Sequence, residues 1–149
     1  MSYQQTSYAL VIGGALLSVL AAAFLPGCNR KNSIALSNTP IYENMTPEKA
    51  GDLIQKNSGN SSFVILDVRT PDEYKAGHIK GAVNSDYYSD SFRNDLGKKS
   101  KDKIYLVYCK SGNRSGKTLE IMKELGFNQV YNMTGGMNAW TSKGFPTVQ

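Results

Sequence analysis

Cys109 opens the run Cys109-Lys110-Ser111-Gly112-Asn113-Arg114-Ser115, immediately after the apolar stretch Ile104–Tyr108. That stretch has the composition of a strand buried on both faces. From Arg114 to Leu125 the pattern becomes helical, with Leu119, Met122 and Leu125 on one face and Gly126 as the C-terminal cap. A loop between a parallel strand and a helix lies at the carboxyl end of the sheet, where ligands bind. The helix aims free backbone N–H groups and partial positive charge at that loop. Gly112 supplies the positive φ that a tight anion cradle requires. A thiol in such a cradle ionises below its ordinary value of ~8.5, because the thiolate is the stabilised form. The residue types and spacing therefore describe a nucleophilic thiolate beside an anion pocket, with Arg114 as its fixed cation. The plainer reading is that Cys109 is a small buried residue ending a strand; Gly112, Arg114 and the helix start argue against it.

Other elements must place this loop. Thr46-Pro47-Glu48 predicts a helix start, with the helix running to about Gln55 and broken at Asn57–Asn60. Phe63–Leu66 predicts a buried strand. Thr70-Pro71-Asp72-Glu73 predicts a capped helical turn that stops by Gly77. Ala82-Val83 and Val130-Tyr131 are further short strands, and Gly136–Ser142 a short helix. Strands alternating with helices predict an α/β fold, a central parallel sheet of about four to five short strands flanked by helices. Asp67, Arg69 and Glu73 are expected to form one ion and hydrogen-bond network tying a strand end to the next helix. His78, the single His, reads as a packed turn residue, and Trp140 as core. A lone His does not make a metal site, so no metal is expected.

At 149 residues the chain has room for one domain. Its net charge of +5 lies wholly after Gly27, and a basic run (Lys98, Lys99, Lys101, Lys103, Lys110, Arg114, Lys117) suggests either a solvated face or a patch attracting anions. Ala9–Leu25 is uncharged and apolar, close to the shortest length that spans a bilayer. It ends in Leu25-Pro26-Gly27-Cys28, which resembles a bacterial lipoprotein signal. That resemblance implies cleavage, lipidation of Cys28 and a membrane-anchored, extracytoplasmic domain. The alternative is an uncleaved anchor: Arg30 and Lys31 follow the apolar run and nothing basic precedes it, which places the domain in the cytoplasm. The expected organisation is a signal or anchor at 1–28, a polar linker at 29–40 and one domain at 41–149.

Three families place an anion cradle between a strand and a helix. Phosphotyrosine-type phosphatases need five residues between Cys and Arg, and Cys109 and Arg114 are separated by one fewer. P-loop nucleotide binders need a first Gly where Ser111 stands, although Gly116-Lys117-Thr118 matches the end of that motif. The run from Cys109 to Ser115 closely resembles the active loop of rhodaneses. Two further segments extend the resemblance: Asp67-Val68-Arg69-Thr70-Pro71-Asp72-Glu73-Tyr74 with Gly77-His78-Ile79-Lys80-Gly81-Ala82-Val83-Asn84, and Gly135-Gly136-Met137-Asn138-Ala139-Trp140 with Gly144-Phe145-Pro146.

The resemblance to single-domain rhodaneses implies a sulfurtransferase. Cys109 would take sulfane sulfur from a small anionic donor such as thiosulfate and pass it, as a persulfide, to cyanide or a thiol. Lys110, Ser111, Gly112, Asn113, Arg114 and Ser115 would bind donor and terminal sulfur. Asp67 and Arg69 would lie close enough to tune substrate entry. Neither cofactor, metal nor nucleic acid is implied. The alternative is a non-catalytic or redox-sensing binding module built on the same fold.

Overall fold

The structure, a computed structural model, describes residues 39–149. The 1–28 segment, Cys28 and all but the end of the 29–40 linker lie outside the described residues. No helix among the described residues is long and apolar enough to cross a membrane.

Among the described residues ten elements follow in order: β1 (Ile41–Met45), α1 (Pro47–Lys56), β2 (Phe63–Asp67), α2 (Pro71–Lys75), β3 (Ala82–Asn84), α3 (Phe92–Gly97), β4 (Ile104–Tyr108), α4 (Asn113–Glu124), β5 (Gln129–Met133) and α5 (Gly136–Ser142). The strands form one five-stranded sheet in the order β1-β5-β4-β2-β3, and every pairing is parallel. β4 has a neighbour on each side and a helical layer on each face, which is why its residues are apolar throughout. Alternate side chains serve two cores. Tyr105, Val107 and Cys109 join Leu66, Leu119, Met122 and Phe127 on one face. Leu106 and Tyr108 join Ile65, Met133, Met137 and Trp140 on the other.

The helix starts follow from local chemistry. The Thr46 hydroxyl caps α1 by accepting from the Lys49 N–H, and Thr70 and Glu73 form a reciprocal capping box on α2. Gly112, at φ 91°, is the N-cap of α4.

Two elements were not anticipated. β1 is an edge strand with mostly exposed side chains, so no apolar alternation marks it. Its place is set by register with β5, Ile41 beside Gln129 through Met45 beside Met133, and by the Tyr42 hydroxyl donating to the Phe127 carbonyl. α3 buries only Phe92 and Leu96, too short a pattern to stand out. The basic run is also not one patch. Lys98, Lys101 and Lys103 lie ahead of β4, whereas Lys110 and Arg114 lie beyond its other end, roughly 13–17 Å away along the strand. Lys98 pairs with Asp95, and the Lys101 ammonium sits 3.9 Å from the centre of the Phe127 ring.

Candidate active site

β4 delivers Cys109 to the carboxyl edge of the sheet and α4 begins four residues later. Cys109 is buried and is a free cysteine. Its Sγ accepts from the Gly112 N–H at 3.2 Å and from the Ser115 hydroxyl at 3.5 Å. Burial is the largest influence on the thiol and opposes ionisation. The Ser115 hydroxyl and the N–H groups of Ser115, Ser111 and Gly112 together outweigh it, holding Cys109 below the ordinary thiol value.

The loop backbone is clamped from behind by the start of α5. The Met137 N–H donates to the Cys109 carbonyl at 2.8 Å and the Asn138 N–H to the Lys110 carbonyl at 2.9 Å. This approach requires Gly136: a Cβ there would sit 2.8 Å from the Lys110 carbonyl carbon and 2.9 Å from the Gly112 nitrogen, and its φ is +54°. The Gly135-Gly136 pair marked one of the sequence motifs, but its contact with the cysteine loop depends on β5 lying beside β4. Only the doubled glycine signalled a close backbone approach.

Arg114 does not stand free. Its Nη1 and Nη2 donate to Glu73 Oε2 and Oε1 at 2.8 and 2.9 Å, a bidentate pair. Glu73 Oε2 also accepts from the Thr70 N–H and hydroxyl. Arg114 holds the Glu73 carboxyl down at about 2. The Tyr88 ring lies 5.4 Å from the guanidinium. The predicted single network of Asp67, Arg69 and Glu73 is thus two separate pairs, because the α2 cap turns Glu73 toward α4. Asp67 and Arg69 pair with one another, and Arg69 continues to the Gly77 carbonyl; none of these bonds reaches the 109–115 loop.

Lys110, Ser111 and Asn113 are exposed at the rim, whereas Ser115 is buried. The three exposed residues border an open cavity of about 540 Å³ together with Thr70, Glu73, Tyr88 and Arg114. His78 stacks on Tyr74 with ring centres 3.8 Å apart, and Trp140 packs in the core. Among the described residues, no cluster of His, Cys, Asp and Glu has the makings of a metal site.

A parallel α/β sheet sets one cysteine in an N–H-lined cradle at the start of a helix, with its thiol held below the ordinary value. Residues 46–143 match the family described as Rhodanese-like domain, and the chain belongs to that family. Relatives include a thiosulfate sulfurtransferase, GlpE, of Pseudomonas entomophila, 36% identical over 68% of this chain and 86% of that protein. A sulfurtransferase of Allochromatium vinosum is 30% identical over 64% of this chain and 88% of its own. The crystal structure of a rhodanese-related protein from Thermoplasma volcanium superposes with a TM-score of 0.59 at 30% identity, covering 72% of this chain and 98% of that one.

Proposed function

We propose that the protein is a sulfurtransferase that carries sulfane sulfur as a persulfide on Cys109. The observation that carries this reading is the Cys109 Sγ itself, which accepts from the Gly112 N–H at 3.2 Å and lies within reach of the Ser115 hydroxyl. Those donors stabilise a thiolate, so the attacking species is preformed and needs no general base.

With thiosulfate as donor, the Cys109 thiolate attacks the outer sulfur and a new S–S bond forms. The sulfur–sulfur bond of the donor breaks, and its electron pair leaves on sulfite. The terminal sulfur of the persulfide then bears the negative charge. The N–H groups of the Lys110–Ser115 loop receive it, as an oxyanion hole receives oxygen. Cyanide attacks that terminal sulfur, thiocyanate departs, and the Cys109 thiolate is restored. A thiol acceptor takes the same sulfur to give its own persulfide.

Lys110, at the rim, meets the anionic donor. The Ser111, Gly112 and Ser115 N–H groups hold the sulfur, while Asn113 and Arg114 shape the mouth. Asp67 and Arg69 act at a distance by fixing the turn that carries α2. Membrane anchoring through a lipidated Cys28, with the domain outside the cytoplasm, completes the proposal and is carried by the sequence signal alone.

Intact mass spectrometry before and after thiosulfate tests both parts. The wild type should gain one sulfur atom and Cys109→Ser none. The same spectrum reports whether the chain begins at a lipidated Cys28. A folded, reduced wild type that takes up no sulfur from thiosulfate or an organic persulfide defeats the catalytic reading and leaves a binding module.

A further inference from the structure

The cavity in front of the loop is bordered by one acid and two bases: Glu73, Lys110 and Arg114. The bases are not equivalent. Arg114 spends both terminal nitrogens on Glu73, and its side chain is only 14% exposed. An approaching anion therefore meets a neutral pair rather than a cation, and a pair's field falls off much faster with distance than that of a single charge. Lys110 is exposed and, among the described residues, has no acid partner. One positive charge is left at the mouth, and an ionised Cys109 offsets it.

Two features keep the pair intact. Glu73 is locked by the α2 capping box, accepting from the Thr70 N–H and hydroxyl. Tyr88, from the segment after β3, has its ring centre 5.4 Å from the guanidinium while remaining 66% exposed. With the Glu73 carboxyl held at about 2, the pair stays ionised at any ordinary working pH.

We infer that Glu73 is a specificity-determining residue: by holding Arg114 in a neutral pair, it tunes the mouth to sulfur donors of low charge, such as a persulfide on an uncharged organic thiol, and against dianions of the thiosulfate type. This inference rests on the sulfurtransferase reading and specifies its donor. Glu73 acts through Arg114 and is a positioning residue. Its removal should improve the handling of a dianion, which loss of a merely structural contact does not do.

The substitution is Glu73→Gln, because Gln preserves the capping box at this position. Dianion affinity is first measured apart from turnover, by calorimetry of thiosulfate on Cys109→Ser with and without Glu73→Gln. Restoring one charge beside the site should tighten binding about five- to tenfold at low salt. With Cys109 present and cyanide as acceptor, Glu73→Gln should lower KM for thiosulfate by a similar factor. Its kcat, and KM for the freshly prepared persulfide of mercaptoethanol, should stay within about twofold. Adding Arg114→Gln should abolish the gain. Unchanged or weaker thiosulfate binding overturns the inference, as does a parallel shift in KM for both donors or a gain that survives Arg114→Gln. If the wild type gains no sulfur from either donor, the sulfurtransferase reading fails, while the calorimetry still decides the role of Glu73.

Discussion

Two carboxylate–arginine pairs, whose carboxylates stand at the end of β2 and within α2, sit in opposite settings. Asp67 and Arg69 are two residues apart, with side chains 0% and 7% exposed and a closest approach of 2.6 Å. The Asp67 carboxylate also accepts from the Arg69 backbone N–H at 2.9 Å. Asn84 donates to the carbonyls of both residues, and the Arg69 guanidinium lies 5.6 Å from the Tyr108 ring. This pair is closed on every side and holds the exit of β2 against the Gly77 turn. Glu73 and Arg114 are 41 residues apart, partly exposed, and open onto the cavity that Lys110, Ser111 and Asn113 also line. The same two functional groups thus serve architecture where water is excluded and set the local field where it is not. The difference lies in what each would leave behind: a broken buried pair strands a charge without solvent, whereas a broken rim pair releases a charge into the mouth.

The largest effect should come from the closed pair. Asp67→Asn leaves the Arg69 cation buried without a counter-charge, facing one amide oxygen and the Gly77 carbonyl, and the protein should lose about 3–5 kcal/mol in urea unfolding. A loss as small as that of an exposed pair would erase the distinction. Glu73→Gln should cost only about 1 kcal/mol in the same measurement, because solvent screens the pair. Its visible consequence is then the donor preference described above. The smallest effect is in acid. The Glu73 carboxyl is lowered from 4.5 to about 2, so its contribution is complete above 4.5 and is lost as pH falls toward 2. The stability gap between wild type and Glu73→Gln should therefore close over that window, and a gap constant down to pH 2 would show that Glu73 is not ion-paired in solution.

Much of the site was legible from local pattern. β4 was expected at Ile104–Tyr108 and α5 at Gly136–Ser142, and both stand there. The Thr70–Glu73 capping box was readable because its bonds join residues three apart. Gly112 at φ 91° was readable because a tight turn ahead of a helix demands it. β1 escaped because an exposed edge strand carries no periodic apolar signal and is defined only by its neighbour β5.

The partnerships around the cysteine are of a different kind. That a thiol, a glycine and a helix start share one loop follows from adjacency in the chain, since backbone sterics and orphan N–H groups act over a few residues. That Arg114 meets Glu73 and that Gly136 backs onto the Cys109 loop follow from the order β1-β5-β4-β2-β3. Charge and shape act through space, so which cation is left unpaired at the cavity was decided only when packing brought α2, α4 and α5 to one edge of the sheet.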